Sequence, residues 1–245
     1  MILKDKVALV TGAAGALGLA AARVLLEEGA RVALVDVDAL RLDSVSRFLR
    51  GERLPVACDV SDPPAARAAF EKVRAELGPV DVLVNAAGAT AGPGGGKDDA
   101  TWRRILGARL DGALHFSRLA IPDMAARGWG RVIFVGGPAC LGPARDRSAA
   151  DAAADGALAS LAASLARECA ASGVTVNTLA PAFIRSPADT DALTEAQRRQ
   201  ALAGIPAARF GEPEEFGHAV RYLVSPLAGY VTGEVLRMDG GMHLG

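Results

Sequence analysis

The stretch Thr11-Gly12-Ala13-Ala14-Gly15-Ala16-Leu17-Gly18 follows a short apolar run and opens into a helix-forming segment. Glycines at a strand-to-helix turn let the backbone approach a pyrophosphate, and the helix N-terminus behind them offers the positive end of its dipole. Eighteen residues past Gly18 the second apolar run ends at Asp36. A carboxylate there can accept both hydroxyls of an adenosine ribose. The same carboxylate can instead cap the helix that follows it. Neither Gly15 nor Val37 is an Arg or Lys that could hold a ribose 2′-phosphate, so the expected cofactor is NAD(H), with NADP less favoured. Cys58, Cys140 and Cys169 are too widely spaced for a metal knuckle or a disulfide framework and read as apolar core residues of a reducing compartment. His115, His218 and His243 show no ligand spacing, so no metal site is expected.

These groups need a frame. Short runs rich in Val, Ile and Leu occur at Lys6–Thr11, Arg31–Asp36, Val80–Asn85, Arg131–Val135 and Val174–Leu179, with a weaker one at Leu54–Cys58 and a last one at Gly233–Met238. Near-continuous apolar runs mark strands buried on both faces, as in parallel sheets. Helix-forming stretches lie between them, among them Ala16–Glu28, Pro63–Leu77 and Ala149–Ala171. This alternation predicts an α/β fold, a doubly wound, Rossmann-like parallel sheet with helices on both faces. No polar linker or repeat divides residues 1–245, so one domain is expected. Gly and Pro make 89–97 a candidate flexible loop, and 185–204 is a candidate lid.

Composition excludes several classes of function. The chain is 51% hydrophobic, so it can build a core and is not intrinsically disordered. A net charge of −1 gives no field drawing it to nucleic acid or anionic lipid. No apolar run reaches the ~20 residues needed to span a bilayer, and no secretory signal precedes the first strand, so a cytoplasmic protein is expected.

With these motifs assembled, the chain resembles the short-chain dehydrogenase/reductase family from end to end. The glycine turn, including Gly12, Gly15, Leu17 and Gly18, resembles the family's T-G-x-x-x-G-x-G. Cys58-Asp59-Val60 resembles its adenine-contacting step, and Asn85-Ala86-Ala87-Gly88 resembles its N-N-A-G. Pro181-Ala182-Phe183-Ile184 resembles the segment holding the nicotinamide carboxamide, and Arg209, Pro213-Glu214-Glu215 and Asp239-Gly240-Gly241 resemble C-terminal signatures. The resemblance implies about seven parallel strands, cofactor contacts from Asp36, Asp59, Val60, Asn85, Ala86, Gly88, Pro181 and Ile184, a small-molecule substrate, and a homo-oligomer, dimer or tetramer. Two departures weaken the implied NAD(H) site: Ala16 stands at the family's middle glycine, and Ala182 follows Pro181 where the family has a glycine.

The family's acid/base machinery is a tyrosine, a lysine four residues on, a serine and an asparagine. The matching positions here are Asp151, Asp155, the hydroxyl-free Val135-Gly136-Gly137-Pro138, and Arg109, seven residues past Trp102. The only tyrosines are Tyr222 and Tyr230. Two carboxylates one helical turn apart repel each other, and in the family's geometry Arg109 would face their helix. They read either as a structural ion pair in a dead site or as an acid/base pair beside an anion clamp. Arg145, Asp146, Arg147 and Ser148, just upstream, read either as the pocket mouth or, taken one by one, as a solvated loop. The first expectation is a repurposed enzyme in which Asp151, Asp155 and Arg109 perform non-redox chemistry, such as cyclisation, dehydration, isomerisation or an aldol step, on a small carbonyl compound. The alternatives are a catalytically silent NAD-binding subunit in a hetero-oligomer with an active relative, and an NAD-dependent oxidoreductase with atypical catalytic residues.

Overall fold

A computed structural model describes residues 1–90, 98–141, 148–186 and 190–244. Seven strands form one sheet: β1 Val7–Thr11, β2 Arg31–Asp36, β3 Arg53–Ala57, β4 Val82–Asn85, β5 Gly130–Val135, β6 Val174–Pro181 and β7 Val235–Met238. Their order is β3-β2-β1-β4-β5-β6-β7, and every neighbouring pair is parallel. The α-helices are α1 Ala16–Glu27, α2 Ala39–Ser46, α3 Pro63–Leu77, α4 Asp99–Leu106, α5 Gly112–Ala126, α6 Ala149–Cys169, α7 Glu195–Ala203 and α8 Pro213–Val224. The doubly wound, Rossmann-like reading of the sequence is correct. Most of the loop expected at 89–97, residues 145–147 of the expected pocket mouth, and residues 187–189 of the candidate lid lie outside the described residues.

Successive side chains of a strand point to opposite faces, so the apolar runs feed two cores. Val7 and Leu9 of β1 join Phe70, Phe116, Phe134 and Leu158 beneath α3, α5 and α6. Ala8 and Val10 join Leu25, Leu42 and Phe216 beneath α1, α2 and α8. Full burial of each of those phenylalanines is worth about 2–3 kcal/mol. Among the described residues, no helix is long and apolar enough to cross a membrane.

Polar contacts fasten the sheet at the end where the strands begin. The Asp81 carboxylate accepts the Val7 N–H at 3.0 Å and pairs with Arg127 at 3.2 Å and Lys6 at 3.6 Å. Trp129 lies between two cations, Lys6 Nζ 4.2 Å and Arg131 Cζ 4.6 Å from the ring centroid. The Arg131 guanidinium, whose pKa burial lowers, donates to the Gly130, Gly173 and Ser225 carbonyls.

Candidate active site

The opposite edge, where the strands end, holds the candidate residues. The chain winds one way from β1 to β2 and the other way from β4 onward. That reversal opens a crevice between the ends of β1 and β4, the usual ligand position in such sheets. Thr11, ending β1, spans it: its hydroxyl accepts the Ala86 and Ala87 N–H groups at 3.2 and 3.1 Å.

On the β2 side the glycine turn is tightly built. Gly12 has φ +66, and a Cβ there would fall 2.5 Å from the Ala86 carbonyl oxygen. A Cβ on Gly18 would lie 2.1 Å from the Gly12 carbonyl oxygen, so α1 begins flush against the turn. No side chain caps α1 and its first turn has no acid, whereas Asp38, Asp98, Ser148 and Thr194 cap α2, α4, α6 and α7. The first N–H groups of α1 therefore keep the bonding capacity that a helix start leaves open. Asp36 accepts the Ala14 N–H at 2.9 Å and the Asp38 N–H at 3.1 Å through different oxygens. Asp38, rather than Asp36, caps α2. Asp59 accepts the Ser61 N–H and hydroxyl, and the Val60 carbonyl accepts from His115 Nδ1 at 3.0 Å.

The far side of the crevice is different. Helices α4 and α5 run on through a π-helical turn, Gly107–Asp111, that carries Arg109. Gly107 lies against Ser61 and Gly112 against Val60, which seats the turn beneath the β3–α3 connection. The Arg109 stem crosses Gly88, its Cγ 3.4 Å from where a Gly88 Cβ would stand. Its guanidinium reaches α6, bonding Asp151 Oδ1 at 3.2 Å through Nη1 and Asp155 Oδ1 through Nη2. All three are buried, at 7% exposure for Arg109, 2% for Asp151 and 0% for Asp155. The Ser148 hydroxyl donates to Asp151 Oδ2 at 2.7 Å and caps α6 by accepting the Asp151 N–H. Cys140 Sγ donates to the Asp155 carbonyl at 3.1 Å.

The structure thus joins Arg109 to Asp151 and Asp155, and Asp36 to the glycine turn. Asn85, which ends β4, donates from its amide to the Ser117 hydroxyl at 3.4 Å. Pro181 ends β6 beside Met238, and Ile184 forms a bridge with Gly211. Two roles escaped the sequence reading: Thr11 as the tie across the crevice, and Ser148 as the partner of Asp151. The serine three residues before Asp151 is a helix-start signal that could have revealed the second. Neither of two surface cavities, of about 420 Å³ near Phe183 and Met238 and about 410 Å³ near His218 and Tyr222, is bordered by the Arg109 cluster or by Asp36.

Comparison with known proteins sets this geometry in context. A family profile described as enoyl-(acyl carrier protein) reductase matches residues 12–243. The Escherichia coli K12 protein 3-oxoacyl-(acyl carrier protein) reductase FabG is 36% identical over 252 residues, covering 100% of both chains. Nodulation protein G of Azospirillum brasilense is 38% identical over 252 residues, covering 98% of this chain and 99% of that one. Among solved structures, NAD⁺-bound xylitol dehydrogenase superposes with a TM-score of 0.89 at 25% identity, covering 98% of this chain and 100% of that one. The structure of gox2181 superposes at 0.93 with 28% identity, covering 99% and 97%. Full-length likeness to proteins named as reductases overturns the expectation of a repurposed, non-redox enzyme. The physical reason lies in the cluster: Arg109 and Asp155 are bonded to each other in the interior, and Asp151, bonded to the same guanidinium, takes the hydroxyl of the half-buried Ser148, so the two acids are not an exposed pair facing a carbonyl compound.

Proposed function

The chain belongs to the short-chain dehydrogenase/reductase family, and on that premise we propose that it is a nicotinamide-dependent oxidoreductase of a small carbonyl–alcohol pair, using NAD(H) in preference to NADP(H). The observation that carries the proposal is the intact glycine turn with Asp36 beside it, within a chain alike over its full length to named reductases. The fit at this end is good. Gly12, Gly15, Leu17 and Gly18 leave room and N–H groups for a pyrophosphate. Each Asp36 oxygen already takes one backbone N–H and has a lone pair left for a ribose hydroxyl. Asp59, Val60, Asn85, Ala86 and Gly88 would line the middle of the cofactor, and Pro181 and Ile184 its far end. When bound, the cofactor supplies or accepts the hydride.

For the proton, the chain offers Ser148 and Asp151. In oxidation the half-buried Ser148 hydroxyl would take the proton of the substrate alcohol as its own passes along the 2.7 Å hydrogen bond to the Asp151 carboxylate, and in reduction both transfers reverse. Losing a positioned general acid/base costs about 10²–10⁴ in rate, so turnover through this substitute pair should be slow. Helix α7 has no buried residue, which suits a cover over the substrate at 185–204. We place the protein as a homo-oligomer, dimer or tetramer.

The test is nicotinamide absorbance with 3-oxoacyl thioesters, ketones and secondary alcohols. Turnover that falls at least tenfold in Ser148→Ala and Asp151→Asn supports the reading, and no absorbance change across the panel rejects it. The burial of Arg109, Asp151 and Asp155 favours a second reading, a dinucleotide-binding subunit that pairs with an active relative. That reading predicts the same silent panel, together with co-purification of a tyrosine-bearing homologue.

A further inference from the structure

The two sides of the crevice are not equally equipped. On the β2 side lie an uncapped helix start, a turn whose Gly12 φ is +66, and a carboxylate held in place by Ala14 and Asp38. On the β4–β5 side the Arg109 stem lies across Gly88, and its guanidinium is bound to Asp151 and Asp155. A ligand laid across the switch point puts its adenosine end over β2 and its other end over β4, β5 and the start of α6. The first end meets groups with bonding capacity to spare. The second meets a cation already bonded to two acids.

We propose that this chain binds adenosine-diphosphate ligands through the adenosine half alone, so that ADP-ribose and ADP are held as tightly as the whole dinucleotide. The inference rests on the dinucleotide site of the proposed function and says which half of it provides the affinity. A free cation donating to ribose hydroxyls on the far side would tighten the dinucleotide, and ADP-ribose with that same ribose, about tenfold or more over ADP. Arg109, spent on Asp151 and Asp155, provides none of that. The nicotinamide end would then stay in place only transiently, in keeping with slow turnover.

Isothermal titration of the purified full chain with NAD⁺, ADP-ribose, ADP and nicotinamide mononucleotide tests this without reading activity. The expected result is that NAD⁺, ADP-ribose and ADP have dissociation constants within fivefold of one another and the mononucleotide does not bind. NAD⁺ tighter than ADP by fivefold or more overturns the inference and leaves the dinucleotide site standing. Binding of none of the four overturns both. The double variant Arg109→Asn/Asp155→Lys, which places a cation on α6, should make NAD⁺ and ADP-ribose at least tenfold tighter than ADP. An unchanged ratio in a folded double variant refutes the assignment to this cluster, and the wild-type comparison decides the main point without any variant.

Discussion

Replacing Arg109 by leucine removes the cation and leaves two carboxylates in the interior, one 2% and the other 0% exposed. Breaking a buried ion pair from one side costs about 3–5 kcal/mol, because a charge remains without compensation. Arg109 serves two acids at once, bonding Asp151 at 3.2 Å and Asp155 as well, so the loss should sit at the upper end of that range. For a chain of 245 residues a melting temperature moves roughly 2–4 °C per kcal/mol, which makes the expected drop about 10–20 °C. Thermal unfolding followed by far-UV circular dichroism at neutral pH reads it directly. The companion variant Arg109→Met/Asp151→Leu/Asp155→Leu replaces the whole cluster by apolar groups and should recover most of the loss, since well-packed apolar residues often match or exceed a buried ion cluster. A single variant that melts within about 2 °C of the parent would refute the reasoning. The guanidinium would then carry no interior charge balance, and the cluster would have to be open to water.

Other outcomes follow from particular contacts. Gly12→Ala places a methyl 2.5 Å from the Ala86 oxygen at a backbone φ of +66, so it should lower the melting temperature and abolish NAD⁺ binding by calorimetry. Glu215 is held down to about 2, first by the hydrogen bonds from Arg209 and then by the Glu212 N–H. A carboxyl lowered on folding stabilises the fold above its unfolded value near 4.5 and loses that contribution as pH falls toward 2. Glu215→Gln should therefore flatten the acid limb of stability in that window, by less than about 1 kcal/mol because the pair is solvent-screened. Cys58 is pushed up to about 11, chiefly by burial and then by Asp59 and Asp62. At pH 8 its thiol should resist iodoacetamide in the native protein and react once denatured, as read by peptide mass spectrometry.

The strands were legible because a sheet buried on both faces must be written in apolar residues. Lys6–Thr11 and Val174–Leu179 come within a residue or two of the observed strands. The last strand starts later than expected, at Val235: Gly233 has φ +77 and gives its N–H to the Val176 carbonyl, so it turns before the ladder begins. The π-helical turn at Gly107–Asp111 has no local signature, because it depends on Gly107 and Gly112 packing against Ser61 and Val60 from another element. The facing of Arg109 and Asp155 was readable from the charge exchange between two positions. Their depth was not, since burial is decided by what α4, α5 and β4 place around them. Missing that depth made two carboxylates bound to a guanidinium in the interior read as an exposed pocket for non-redox chemistry. Asn85 shows the same limit: its place in the motif was plain, but its amide turns to Ser117, a partner thirty-two positions away.

Asp81 sits at the opposite rim of the sheet, gripping Val7, Lys6 and Arg127. A scaffold fastened there leaves its working rim free to drift. Residues around the crevice can be exchanged without unpicking the fasteners that keep the strands in order.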